Sequence, residues 1–242
     1  MTAPLLRRLL AEFLGSAFLA ALVIGSGIAA QQLTPDDTGL QLLYNSAATA
    51  AGLFAIILMF GPVSGGHFNP VVSLVDAAFG GLPRRDALTY IPAQIAGCIT
   101  GAVAANAMFA LSAISISENH RASPAHVFAE VIATLGLLLV IFALVRSGRS
   151  ATAPAAVGAY IGAAYWFTSS TSFANPAITV GRVFSDTFAG IAPAAAPAFV
   201  VAQLVGGIAA VGLIRTLYPG VTPHDAAEVV VPHRDVVNGA VE

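Results

Sequence analysis

Ser64-Gly65-Gly66-His67-Phe68-Asn69-Pro70-Val71 and Ser172-Phe173-Ala174-Asn175-Pro176-Ala177 repeat one short theme: Asn, Pro, then a compact apolar residue. Proline fits the first turn of a helix, where its missing N–H costs nothing. Asparagine just before it is a good N-cap. Each segment therefore reads as a helix start. Both lie inside a strongly apolar chain, and a helix start buried in a membrane leaves free N–H groups and a positive dipole end there. Such backbone is tolerated only where it is packed in protein or lines a wet cavity. Two of them, in corresponding halves of one chain, suggest a pore.

The rest of the composition agrees with a membrane setting. Of 242 residues, 57% are hydrophobic and 9% charged, with a mean hydropathy of +0.83. Soluble domains carry roughly 25% charged residues. All basic side chains are arginine, and the net charge of −2 offers nothing to a nucleic acid. The single cysteine, Cys98, excludes an intrachain disulfide. The start, with Arg7 and Arg8 before an apolar run, resembles a signal-peptide n-region. That run is about 20 residues long and contains Glu12, so it reads as a first span.

Apolar runs of spanning length fall near 9–31, 40–60, 87–112, 126–146, 153–169 and 191–215, the fifth being short. Two pieces, 69–80 and 175–186, follow the Asn-Pro motifs and suit half-helices. The expected organisation is one transmembrane domain over 1–216 and a polar cytoplasmic tail over 217–242. With six spans, Arg7, Arg8, Arg84, Arg85, Arg146, Arg149, Arg215 and Arg234 share one side, and Arg121 and Arg182 take the other. The positive-inside rule then places both termini in the cytoplasm and predicts a multi-pass inner-membrane protein.

The chain also repeats itself. Ala11-Glu12-Phe13 matches Ala129-Glu130-Val131, and Pro92-Ala93-Gln94 matches Val201-Ala202-Gln203. The repeats run over about 8–112 and 126–215, with the Asn-Pro motifs between the landmarks. Three spans per repeat is odd, so the second copy must be inverted. Inverted repeats with broken helices meeting at the midplane are a transport architecture.

These motifs resemble the aquaporin and aquaglyceroporin (major intrinsic protein) family over nearly all of 8–215. The doubled Asn-Pro motif in an inverted repeat is the specific part of the likeness. The resemblance implies an all-α fold of six spans and two half-helices, one pore per subunit and a homotetramer in the bilayer. The sequence offers no metal cluster and no convincing nucleophile constellation, so no cofactor, no metal and no enzymatic activity are expected. Asn69, Pro70, Val71, Asn175, Pro176 and Ala177 would form the pore motifs. Side-chain amides of Asn69 and Asn175 can donate to a passing oxygen, and the two dipole ends oppose cations and protons.

Glu12 and Glu130 are intramembrane carboxylates, which are costly and often functional. They are expected either to accept hydrogen bonds from the irregular loops, as scaffolding, or to relay protons. Gln94 and Gln203 take the same scaffolding reading. His67 either faces the pore or is packed and hydrogen-bonded. Gly97 with Gly101, and Gly158 with Gly162, are small pairs that permit close helix packing.

The sequence departs from the family pattern at the narrow filter. The family's arginine after the second Asn-Pro-Ala is Ile178 here, and Val71 replaces alanine in the first motif. Counting without gaps puts the other filter positions at Thr49, Ala163 and Ser172; a slip of one turn would bring Tyr160 or Tyr165 to the place of Ala163. Such a filter is wide, uncharged and weakly polar, and suits glycerol-like molecules, urea-like molecules and neutral hydroxides such as arsenous acid, with or without water. The stretch after Ala177 is similar to a bacterial subgroup associated with arsenic resistance. If the second half-helix continues outward, Ile178, Arg182 and Asp186 form one stripe. Arg182 would then be the cation of the outer vestibule, held by Asp186, unless it points into the loops. Two other functions compete with a passive channel. One is a proton-coupled transporter using Glu12 or Glu130; the other is a non-conducting structural member of the fold.

Overall fold

The computed structural model describes residues 3–220. Beyond α8, most of the expected tail, including Pro223, Pro232 and Arg234, lies outside the described residues. Regular structure within them is helical: α1 Leu5–Leu33, α2 Thr38–Ser64, α3 Pro70–Phe79, α4 Arg84–Met108, α5 Pro124–Arg146, α6 Ala153–Phe167, α7 Pro176–Gly181 and α8 Ala196–Leu217. Short 3-10 turns precede α6 at Ser150–Thr152 and follow α7 at Arg182–Phe184.

Five of these helices, α1, α2, α4, α5 and α8, are long and apolar enough to cross a membrane. The fifth expected span is α6, with 15 residues. At about 1.5 Å per residue it covers roughly 22 Å, and the 3-10 turn before it extends it. Several boundaries differ from expectation, among them the end of α4 at Met108 rather than near 112 and of α7 at Gly181 rather than near 186. α1 starts at Leu5 and so includes Arg7 and Arg8; the Arg8 guanidinium pairs with Asp86 at 2.6 Å. The sixth span begins at Ala196 rather than near 191, because residues 185–195 form irregular loop.

The packing repeats with the sequence. α1 packs on α2 and α4, and α5 packs on α6 and α8. Half-helix α3 touches α4 and α8; half-helix α7 touches α8 and α4. The self-paired contacts are α2 with α6 and α3 with α7, as a two-fold axis through the midplane requires. Close crossings follow the same rule. A Cβ on Gly97 would lie 2.2 Å from the Phe13 carbonyl oxygen, and one on Gly206 would lie 2.6 Å from that of Val131. Gly158 and Gly162 do the same for α6 against Ala50 of α2. These contacts bear out the small-pair reading: backbone meets backbone where no side chain stands between.

Candidate functional site

The two Asn-Pro motifs cap their helices and then lock to each other. Asn69 Oδ1 accepts from Val71 N at 3.0 Å, and Asn175 Oδ1 accepts from Ala177 N at 2.9 Å. Pro70 and Pro176 occupy the first turns. Asn69 Nδ2 donates across to the Ala174 carbonyl at 2.7 Å, and Asn175 Nδ2 donates to the Phe68 carbonyl at 2.7 Å. An amide nitrogen carries two hydrogens, so each has one left for the lumen. Both asparagines line the same cavity, of about 60 Å³. That is room for a few waters.

The loops that deliver the motifs have matching backbones. Positive φ occurs at Gly65, Gly66 and Phe68, and at the repeat-related Thr171, Ser172 and Ala174. Glycine supplies that conformation freely; Thr, Ser, Phe and Ala reach it against their Cβ, at a cost of roughly 1–2 kcal/mol each. The buried carboxylates hold the loops there. Glu12 Oε1 accepts from Ser64 Oγ at 2.6 Å and His67 N at 3.0 Å, and Oε2 accepts from Phe68 N and Gln94 Nε2, both at 2.7 Å. Glu130 accepts from Phe173 N and Ala174 N at 2.8 Å and from Gln203 Nε2 at 2.7 Å. Gln94 also donates to Ser73 Oγ, and Gln203 to Thr179 Oγ1. Both carboxylates are fully buried and neither lines the lumen.

The walls of the lumen come from repeat-related positions: Leu19 and Leu137, Val23 and Ile141, Val72 and Ile178, Gly66 and Ser172. Thr49 Oγ1 and Tyr165 OH lie 3.2 Å apart and both face it. Ala163 does not: it is exposed on the outer surface of α6. Val157, Ile161 and Tyr165, four apart, form the lining face, and two residues of helix turn Ala163 about 200° from Tyr165. The slip of register anticipated for this helix thus brings in Tyr165.

Val71 does not line the lumen. It points toward α8, and a Cβ on Gly207 would lie 2.6 Å from Val71 Cγ1. The missing side chain of Gly207 makes room for the extra methyl groups.

His67 satisfies both of its readings: it lines the lumen and it is hydrogen-bonded. Nδ1 lies 3.0 Å from Ser73 Oγ, and Nε2 lies 3.4 Å from Asp76 Oδ2. Sequence reasoning passed over Asp76, a buried carboxylate on α3. A lone acid within a half-helix was the available signal.

Arg182 also lines the lumen, but the expected stripe is broken. α7 ends at Gly181, and extended backbone at Ser185 turns Asp186 away. Asp186 Oδ1 instead accepts from Glu118 N at 3.0 Å. Arg182 is held by its Nε bond to the Ala189 carbonyl and by stacking on Phe173, with Cζ 3.4 Å from the ring centroid. Arg121 approaches the same ring at 5.6 Å and donates to the Gly190 and Phe188 carbonyls. Phe173 and Arg121 are further site residues that the sequence reading missed.

A family model, "Major intrinsic protein", matches residues 1–173 and 168–241. The chain belongs to that family. It is therefore a membrane channel and not an enzyme. It is 48% identical over 219 residues to "Aquaglyceroporin AqpS" of Rhizobium meliloti (strain 1021), covering 90% of this chain and 93% of that protein. It is 31% identical over 203 residues to "Aquaporin Z" of Brucella melitensis biotype 1, covering 76% and 87% respectively. The X-ray structure of the aquaglyceroporin from Plasmodium falciparum superimposes with a TM-score of 0.68 at 22% identity, covering 90% of this chain and 99% of that one. At that identity the likeness is one of fold. This major intrinsic protein is a multi-pass membrane channel whose two half-helices meet over one lumen.

Proposed function

We propose that the lumen passes small uncharged solutes passively: glycerol-like molecules and neutral metalloid hydroxides such as arsenous acid, together with water. The observation that carries this reading is Ile178, apolar and on the lumen wall directly after the second motif. Thr49, Tyr165 and Ser172 add hydroxyl groups without formal charge. That mixture of apolar wall and a few hydroxyls matches a polyol, which presents one apolar and one hydrogen-bonding side. Arg182 lines the same lumen and serves as the cation of its outer vestibule. The 48% identical relative is called an aquaglyceroporin, which favours the same substrate class.

The arginine distribution supports cytoplasmic termini in a plasma (inner) membrane, since Arg84, Arg85, Arg146, Arg149 and Arg215 lie on the same side as Arg7 and Arg8. The homotetramer belongs to the same proposal. Proton coupling is disfavoured by the sealed positions of Glu12 and Glu130, each committed to loop N–H groups.

Stopped-flow swelling of proteoliposomes against glycerol, urea and arsenous acid tests the reading. Glycerol uptake should be fast and indifferent to a proton uncoupler. Ile178→Arg should reduce glycerol flux more than water flux. Swelling no faster than empty liposomes, or uptake abolished by the uncoupler, overturns it.

A further inference from the structure

Two arginines on the side opposite the basic face lack the partners that burial normally demands. Arg182 is 2% exposed, Arg121 is partly buried, and both guanidinium groups lie against the ring of Phe173. Among the described residues the ion pairs are Arg8 with Asp86 and His67 with Asp76; neither Arg121 nor Arg182 takes part in one. The carboxylate of Glu130 is committed to Phe173 N, Ala174 N and Gln203. Asp186 is turned to Glu118 N. Burial draws the Arg121 guanidinium below its ordinary pKa, and the nearby Glu130 carboxylate opposes the shift only in part. Cation–ring contacts and carbonyl acceptors offset part of this cost, but they do not neutralise two like charges.

Unpartnered polar atoms line both the lumen and the cavity outside it. Arg182 spends Nε on Ala189 and turns toward the lumen. Ser172 Oγ, on a residue 3% exposed, lines that lumen and has no hydrogen-bond partner. On the outer side, Arg121 borders a second cavity of about 580 Å³ together with Asp186, which is turned to Glu118 N, and His126, whose buried Nδ1 is also unpartnered. A neutral solute would satisfy the hydroxyl but leave both guanidinium groups without an ion pair.

We propose that this outer face binds a small carboxylate-type monoanion, held by Arg182 and Ser172 Oγ and drawn in past Arg121. The planar guanidinium fork matches a carboxylate in two parallel bonds. The apolar neighbours Phe173 and Ile178 oppose full hydration, so a singly charged, compact ion is favoured over a dianion. The anion does not pass the apolar wall below it; it occupies the entrance and excludes neutral solutes. This inference rests on the channel reading only for that blocking effect; binding itself does not depend on it.

Two measurements on the full-length wild type separate the two claims. Calorimetric titration of the detergent-purified protein with sodium glycolate at pH 7.5, in sodium chloride at fixed ionic strength, should give saturable binding in the millimolar range. External glycolate should inhibit glycerol swelling of proteoliposomes with the same half-saturation. Arg182→Gln should weaken binding about tenfold, and Arg121→Gln and Ser172→Ala each severalfold. Arg182→Lys should recover only part of it, since the charge returns without the fork. No saturable binding by the wild type overturns the site, as does an unchanged affinity in Arg121→Gln and Ser172→Ala; both tests stand even if Arg182→Gln does not fold. Glycolate binding without glycerol flux sustains the site and sinks the channel reading. Glycerol flux without glycolate binding does the reverse.

Discussion

His67 Nε2 lies 3.4 Å from Asp76 Oδ2, and this pair is the repeat-related counterpart of Phe173 stacked by Arg182. The 106-residue offset that relates Asn69 to Asn175 also relates His67 to Phe173 and Asp76 to Arg182. One half thus buries an acid on an imidazole and the other a base on a ring. The backbone is two-fold, while an acidic residue in one half stands where a basic residue stands in the other.

The His67–Asp76 pair should be energetically coupled. Asp76→Asn keeps the shape and removes the carboxyl group, and His67→Gln removes the ring. Each should lower thermal stability in detergent, and the double variant should lose less than the two losses added. A typical intramolecular hydrogen bond contributes about 0.5–1.5 kcal/mol. Additive losses would mean that the two side chains act separately.

Val71 and Gly207 should behave as a matched pair. Gly207→Ala places a Cβ 2.6 Å from Val71 Cγ1 and should destabilise by about 1–3 kcal/mol. Val71→Ala in the same chain should restore much of that loss. The check is the thermal midpoint of the single and double variants, with glycerol flux as a second readout.

Gly97→Ala should be far worse than Gly212→Ala. A Cβ at Gly97 meets the Phe13 carbonyl oxygen at 2.2 Å, whereas one at Gly212 meets nothing within 4 Å. The first forces α1 and α4 apart, with loss of folded yield. The second should be neutral or slightly stabilising, by up to about 1 kcal/mol from helix propensity. Size-exclusion profiles after detergent extraction distinguish the two.

Arg182→Ala should raise sodium leak while largely preserving glycerol flux. The guanidinium is a positive charge on the lumen wall, and its removal lowers the barrier to cations. Electrical recording in planar bilayers beside the swelling assay measures both. An unchanged leak would place the cation barrier at the half-helix starts alone.

The amino-acid sequence by itself determined the architecture, because its signals are local. Asn-Pro pairs can be recognised as caps without knowing what they face, and spanning runs follow from apolar length. Matching Glu, Gln and Asn-Pro landmarks pointed to the inverted repeat and left Glu12 and Glu130 open between scaffolding and proton relay. The tertiary structure decided what lies around the lumen. Tyr165 rather than Ala163 faces Thr49 because helix phase, fixed by packing on α2, sets which residue points inward. Asp186 leaves Arg182 because α7 stops after 6 residues and the chain turns. Gly207 accommodates Val71 across 136 positions of sequence, and Phe173 gathers Arg121 and Arg182 from two loops. Such contacts depend on where distant segments come to rest, and no spacing along the chain encodes that.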